Sequence, residues 1–348
     1  MRAVCPYLDG RVLASGATRR QTGSAAVGQE ILMLVSSGPS RRKVLIAAPT
    51  YKRNDLLDGL LKSLNDLLIP DDLHVEFAII DNDAEGGARP VVERWQSTIC
   101  FPLHYLIEQA PGVTQVRNRA LELAADFDLL AFIDDDEFAS PEWLSALMAR
   151  YDASGAAAVF GPVISVYPDS APGWMREWGV HGVEILDDED RTTPSGAGNC
   201  LIDMKVIRDL GLRFDERMSL TGGEDTLFFA QVLDAGYRLS QAKDARIYEH
   251  VPESRVSTGW LMRRWYRIGL TDAMIAGRNK SRAAARLAGL ANGVVRVGAG
   301  SVLVALATIL TLGRNPRKIL ARCYTVCRGA GMISFAIGNV YEEYGRSR

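Results

Sequence analysis

Short apolar runs alternate with helical periodicities between residues 43 and 151. Four of the runs have the length of a strand that is buried on both faces, and amphipathic segments separate them. This alternation is typical of βαβ units, so it predicts an α/β fold with a mostly parallel sheet flanked by helices. The four predicted strands cover residues 44–48, 74–80, 103–107 and 129–133.

The next hundred residues show shorter and less regular patterns. We predict strands at residues 156–166 and 196–202 and an edge strand at residues 240–249. The segment between residues 168 and 195 is predicted to be irregular. A helix is expected from Glu224 to a glycine C-cap at Gly236.

The last third of the chain is apolar and basic. Residues 287–313 contain few polar side chains, but the run from Val297 to Leu312 is only about 16 residues, short of the ~20 that span a bilayer. Arg314, Arg317 and Lys318 follow directly. Apolar helices beside basic residues favour a membrane-surface anchor or a re-entrant pair. A single membrane span and a helical subdomain packed on the rest of the protein are the alternatives.

These patterns divide the chain into three parts. Residues 1–40, rich in Gly, Ser and Ala, are predicted to be a mobile tail, residues 41–270 an α/β domain, and residues 271–348 a helical, membrane-associating region. The net charge of −2 gives no overall attraction to nucleic acid, and the basic residues lie beside apolar helices rather than aromatic-lined grooves. Five scattered cysteines without zinc-type spacing favour a reduced, cytosolic compartment.

Polar side chains follow the predicted strands where ligands bind in open α/β sheets. The run at residues 129–133 leads directly into Asp134, Asp135, Asp136 and Glu137. Such close carboxylates raise one another's pKa, and a hard divalent cation with a phosphate-bearing ligand would relieve the repulsion. The alternative is a solvated acidic turn before the next helix. Four further polar groups lie at other strand or helix ends: Thr50 with Arg53, Asp81 with Asp83, Arg117 with Asn118, and Glu224 with Asp225.

Taken together, five motifs in this order resemble those of the family 2 glycosyltransferases, which have the GT-A fold, and in particular their bacterial exopolysaccharide branch of succinoglycan-type glucosyltransferases. The motifs are Ala48-Pro-Thr-Tyr-Lys-Arg53, Ile80-Asp-Asn-Asp83, Val116-Arg-Asn-Arg119, Phe132-Ile-Asp-Asp-Asp-Glu137 and Gly222-Gly-Glu-Asp225. Asn82-Asp83 departs from the family's common Asp-Gly-Ser. Arg263-Arg-Trp265 is only a fragment of the Gln-X-X-Arg-Trp motif, which argues for transfer of a single sugar.

The resemblance implies roles for individual residues. Asp225 would be the general base that takes the proton of the attacking hydroxyl, with Glu224 and Trp174 contacting the acceptor. Mg²⁺ or Mn²⁺ would bind Asp136, with His250 as a further contact. The residues expected to bind the nucleotide sugar are Thr50, Arg53, Asp81, Arg117, Asp134 and Asp135.

The resemblance therefore implies a metal-dependent, inverting hexosyltransferase. Its expected donor is a UDP-sugar, UDP-glucose above all, and its expected acceptor is a lipid-linked saccharide. We expect it at the cytoplasmic face of the bacterial inner membrane, held by peripheral or re-entrant C-terminal helices. A sugar nucleotidyltransferase and a non-catalytic nucleotide-sugar-binding membrane scaffold are the alternatives.

Overall fold

The computed structural model describes residues 41–219 and 222–339. The predicted tail at residues 1–40 lies outside these ranges. The helices are α1 Asn54–Asn65, α2 Arg89–Gln96, α3 Val113–Leu123, α4 Trp143–Ser154, α5 Gly173–Trp178, α6 Met204–Leu210, α7 Glu224–Asp234, α8 Thr258–Gly277, α9 Arg282–Thr311 and α10 Pro316–Ile337. The strands are β1 Arg42–Thr50, β2 Leu73–Asp81, β3 Leu103–Ile107, β4 Leu129–Ile133, β5 Glu137–Ala139, β6 Ala158–Phe160, β7 Val163–Val166, β8 Asp190–Arg191, β9 Asn199–Asp203, β10 Leu239–Gln241 and β11 Ile247–His250.

The main sheet has eight strands in the order β3-β2-β1-β4-β9-β6-β10-β8. β1 pairs in parallel with both β2 and β4, because α1 and α3 each return the chain to the same edge of the sheet. β9 runs antiparallel between β4 and β6. The predicted α/β fold with a mostly parallel sheet is confirmed.

Two apolar layers cover the main sheet. Val44 and Ile46 of β1 pack with α1 on one face, whereas Leu45 packs with α3 on the other. All five residues of β4 are buried. Strands buried on both faces need continuous apolar runs, which is why these strands were readable from the sequence.

Two predicted strands are each divided in the structure. A Cβ at Gly161 would lie 2.1 Å from the carbonyl oxygen of Ala245, so the chain passes another segment too closely there for any side chain. The predicted strand at residues 156–166 therefore splits into β6 in the main sheet and β7 in a small second sheet of order β5-β11-β7. The predicted edge strand at residues 240–249 was wrong in the same way. It splits into β10, which lies inside the main sheet, and β11.

Three helices form the C-terminal region. α8 is continuous across the predicted boundary at residue 270, and α10 packs between α8 and α9. The apolar run from Val297 to Leu312 is the second half of a longer helix that begins at Arg282, since small residues and three arginines extend the helix toward the N-terminus. Within the described residues, only α9 is long and apolar enough to cross a membrane, and only 11% of its most apolar window is buried.

Candidate active site

The ends of β1, β2 and β4 bring the first set of predicted residues together. Thr50 and Asp81 are register partners at the ends of β1 and β2. The Thr50 hydroxyl donates to Asp135 (2.8 Å), and the Arg53 guanidinium donates to both Asp135 (3.0 Å) and Asp136 (2.9 Å). The turn after β1 is thus hydrogen-bonded to the acidic segment after β4.

Asp81 lies at the end of β2. Its side chain is fully buried and accepts hydrogen bonds from the Asp83 N–H (2.9 Å), the Ala88 N–H (3.0 Å) and the Tyr105 hydroxyl (2.7 Å). These bonds shape the loop after β2 and leave one Oδ1 acceptor position open. Its part in binding the nucleotide sugar stays a prediction.

Arg117 connects the acids of β4 with those of α7. It is only 6% exposed and donates to the Glu224 carboxylate, which is itself 4% exposed. One guanidinium nitrogen lies 3.9 Å from Asp134, and another lies 3.9 Å from Asp225. Arg117 therefore brings Asp134 and Asp225 to the same cleft. Glu224 supports that guanidinium from its buried position, and its predicted contact with the acceptor stays a prediction.

A smaller set of acids faces the cleft. The side chains of Asp134 and Asp225 are 37% and 21% exposed. Glycines before β9 leave room for both: a Cβ at Gly198 would lie 3.1 Å from Asp134, and one at Gly196 would lie 3.2 Å from Asp225. Thr50 and Asp135 lie deeper, at 3% and 4% exposure, so their bond to each other favours support over ligand contact.

The carboxylates of the site outnumber the positively charged side chains that contact them. Although part of its side chain is exposed to the cleft, desolvation by the surrounding protein, together with the neighbouring Asp136 and Asp135, raises the pKa of Asp134, and Arg117 opposes the change. Burial and the nearby Asp225 likewise raise the pKa of Glu224 to about 7. Carboxylate oxygens that gain stability from an added cation are the donor set that Mg²⁺ or Mn²⁺ requires.

His250 and Asp136 lie on one wall of a cavity of about 370 Å³ beside α1. The backbone N–H of His250 donates to the backbone carbonyl oxygen of Asp136 (3.4 Å). The centroid of the His250 ring lies 5.1 Å from that of Phe138. Across the described ranges, no group of three or more His, Cys, Asp or Glu side chains forms a preformed metal cage. A cation here would thus take its remaining ligands from the substrate phosphates and water, as Mg²⁺ usually does.

Trp174 packs in an aromatic cluster that joins α5 to α8. Its ring centroid lies 6.2 Å from that of Trp178, which lies 6.1 Å from Trp265 of α8. Nothing in these contacts tests its predicted stacking on an acceptor sugar.

Sequence reasoning missed Glu249. It is the register partner of Glu137 in the small sheet and accepts from Arg255 at 2.9 Å. Burial and Asp136 raise its pKa. Its place beside His250 in the sequence was the available signal, but the pairing of β5 with β11 could not be read from the sequence.

The same chain can be compared with known proteins. Residues 45–211 match the sequence model of Glycosyl transferase family 2. The chain is also 33% identical over 301 residues to the succinoglycan biosynthesis protein ExoM of Rhizobium meliloti, a match that covers 86% of this chain and 95% of that protein. The chain belongs to glycosyltransferase family 2. The glycosyltransferase AglE of Haloferax volcanii is a more distant relative of this family 2 enzyme, 24% identical over 58% of this chain and 64% of its own.

A solved structure shows the same fold. The mannosyltransferase PcManGT from Pyrobaculum calidifontis, determined in complex with GDP-Man and Mn²⁺, superposes with a TM-score of 0.61 at 17% identity. The match covers 85% of this chain and 87% of that one. The predicted GT-A fold and the prediction of a glycosyltransferase are therefore confirmed.

Proposed function

We propose that this family 2 enzyme transfers a single hexose from a nucleotide diphosphate sugar, with UDP-glucose as the expected donor, to a lipid-linked saccharide during bacterial exopolysaccharide synthesis. The observation that carries the proposal is the position of Arg117, 3.9 Å from both Asp134 and Asp225. Acids suited to a metal–diphosphate group and an acid suited to proton removal thus share one cleft. The succinoglycan relative supports the exopolysaccharide assignment.

Asp225 is the proposed general base. Its Oδ1 accepts from the Thr226 N–H (2.6 Å) and its Oδ2 from the Ala197 N–H (3.3 Å), so the carboxylate is fixed but 21% exposed. It takes the proton of an acceptor hydroxyl while that oxygen forms a bond to the anomeric carbon. The bond from that carbon to the diphosphate oxygen breaks with both electrons leaving on the phosphate. A single displacement inverts the anomeric configuration.

Asp136, with Asp134 and His250 nearby, would hold Mg²⁺ or Mn²⁺. When bound, such a cation neutralises the diphosphate leaving group. Arg53 keeps Asp136 and Asp135 in place by donating to both carboxylates. Mn²⁺ in the mannosyltransferase complex is consistent with this assignment.

The lipid-linked acceptor places the reaction at a membrane surface, at the cytoplasmic face of the inner membrane. Support comes from α9, whose apolar residues are largely exposed. Peripheral or re-entrant attachment through the C-terminal helices would bring the cleft to such an acceptor.

A transfer assay tests the proposal. Purified enzyme is mixed with radiolabelled nucleotide sugars, a bacterial lipid extract and Mn²⁺, and label is measured in the organic phase. We expect label from one donor, loss of label with EDTA, and loss with Asp136→Asn at an unchanged melting temperature. Transfer that EDTA leaves intact would contradict metal dependence, and pyrophosphate release from a nucleoside triphosphate and a sugar phosphate would indicate the nucleotidyltransferase instead.

A further inference from the structure

α9 presents a continuous apolar surface to the outside of the protein. Of the eighteen large apolar side chains that are exposed in the described residues, ten lie on α9 or at its C-cap. Side chains about two turns apart share one helical face. Four such residues, between 55% and 69% exposed, are Leu287, Val294, Val302 and Ile309.

The opposite face of α9 is lined by glycine and packs on α10. A Cβ at Gly293 would lie 2.7 Å from the carbonyl oxygen of Gly329, so the two helix backbones touch. α10 approaches α8 as closely: a Cβ at Gly331 would lie 2.0 Å from the carbonyl oxygen of Tyr266. The three helices are therefore stacked layers, with α8 on the catalytic domain, α10 in the middle and α9 outermost.

Charge in this region has one sign. Residues 278–339 contain ten Arg and Lys side chains and no Asp or Glu. Lys280 and Arg282 are exposed at the start of α9, and Arg314, Arg317 and Lys318 are exposed just past its end. An apolar face with cations at both ends complements acyl chains bordered by anionic headgroups.

We infer that α9 lies parallel to the plane of an anionic lipid bilayer, with its apolar face in the acyl boundary and α10 between the lipid and the catalytic domain. This orientation rests on the membrane association proposed above and selects in-plane attachment over a re-entrant or spanning hairpin. The basic residues at both ends of α9 then lie at the depth of the headgroups.

The packing of α10 argues against a span. A 30-residue helix is about 45 Å long, against a hydrocarbon thickness of about 30 Å. If α9 crossed the bilayer, α10 would enter with it, because their backbones touch along the pair. That would carry Arg296, near the midpoint of α9, and the exposed Arg322 of α10 toward hydrocarbon, where charged side chains are costly.

Depth measurements distinguish the orientations. Spin labels are placed one at a time through Leu287→Cys, Val294→Cys, Val302→Cys and Ile309→Cys, in a full chain whose native cysteines are alanine. Collision with oxygen and with a nickel chelate then reports depth in vesicles of equal phosphatidylglycerol and phosphatidylcholine. The four labels cover about 33 Å of helix. Leu186→Cys, on an exposed side chain of the catalytic domain, is the aqueous control.

We expect the four labels at one shallow depth and the control in water. A bell-shaped profile, deepest at Val294 and Val302 and shallow at Leu287 and Ile309, would overturn the in-plane orientation. Four labels in water would overturn the lipid surface itself. The depth measurements use no nucleotide sugar. Either failure would therefore leave the proposed sugar transfer to be tested by the transfer assay alone.

Vesicle sedimentation of the otherwise native chain tests the basic residues independently. Replacing Arg314, Arg317 and Lys318 by Gln should weaken binding to the same anionic vesicles by about 100-fold. The matched control removes three exposed cations from the catalytic domain: Lys205, Arg217 and Lys243. Equal losses in the two triple variants would overturn the role of the α9–α10 end.

Discussion

The α/β domain and the helix α9 use apolar residues in opposite ways. In the domain, Leu130 and Phe132 of β4 are at most 1% exposed and interlock with side chains of α3, α6 and α7 on one face of the sheet. On α9, Leu306 and Leu310 are 48% and 82% exposed, while Gly293 and Gly300 are buried. The α/β domain is stabilised by apolar side chains that are removed from water. In contrast, α9 and α10 pack through glycines that let the two helix backbones come into contact.

The proposed membrane attachment would account for this difference, because the two regions would then meet different solvents. Burial of apolar area stabilises a fold in water, but it gives little association between helices whose surroundings are as apolar as leucine. Helices in lipid therefore pack through small residues, as α9 and α10 do. Four experiments test these regions, and the leucine and glycine pairs test the packing contrast directly.

The largest expected effect is chemical. Asp225→Asn keeps the shape of the side chain but removes the proposed base, so kcat should fall by about 10²–10⁴-fold with little change in melting temperature. Asp209→Asn, at an exposed acid of α6, is the control and should retain activity. Equal activity of the Asp225 variant and the native enzyme would refute the assignment.

Leucine truncation compares the two regions directly. Leu130→Ala should lower the free energy of unfolding by about 2–5 kcal/mol, because its side chain is completely buried in β4. Leu306→Ala should change it by less than about 0.5 kcal/mol in detergent-free buffer, because the side chain is already exposed. Chemical denaturation measures both, and a comparable loss in the two variants would mean that α9 is covered by protein in solution.

Glycine substitutions compare a tightly packed position of α10 with an open position of α9. Gly331→Ala should destabilise the protein by about 1–3 kcal/mol, since its Cβ would lie 2.0 Å from the Tyr266 carbonyl oxygen and α10 would have to move. Gly298→Ala, where nothing lies within 4 Å of the added Cβ, should stabilise α9 by roughly 0.5–1 kcal/mol. Melting curves that shift in the same direction for both variants would contradict the layered packing.

The last expected effect is a dependence of stability on pH. His181 is 3% exposed, its Nδ1 lies 3.0 Å from the Tyr167 hydroxyl, its Nε2 lies 3.1 Å from the Arg255 carbonyl oxygen, and burial lowers its pKa to about 4 from an ordinary 6.5. Between those values the unfolded chain binds more protons, so stability falls as pH drops, by up to about 1.4 kcal/mol per pH unit. His181→Gln should lack this slope in denaturation curves taken from pH 6.5 to pH 4. An unchanged slope would assign it to other groups.

The parallel strands were predictable because the burial of a strand shows in its own sequence. β1, the second half of β2 and β4 are buried on both faces, so each appears as a continuous apolar run, and the polar residues after each run mark the strand ends. The register of Thr50 with Asp81 then follows from parallel pairing. Whether each acidic side chain is buried or open to the cleft was not predictable. Asp81 and Asp134 look alike in sequence, yet loop contacts bury the first and leave the second open to the cleft.

The remaining differences come from contacts between distant parts of the chain. The division of β6 from β7 depends on the approach of Ala245 to Gly161, and the pairing of Glu137 with Glu249 depends on a second sheet. The apolar stretch at residues 287–313 covers only part of α9, which begins at Arg282 and contains Arg286 and Arg296. The helix tolerates both because α10 supports its other face.

The middle position of α10 limits how the enzyme can be shortened. Trp265 of α8 is 4% exposed and meets Tyr324 of α10 edge to face at 5.6 Å. A protein ending before Ser281 would lose α9 together with α10, and this tryptophan would face water. A soluble version for crystallisation should therefore keep all three helices and exchange only the outward leucines and valines of α9 for polar residues.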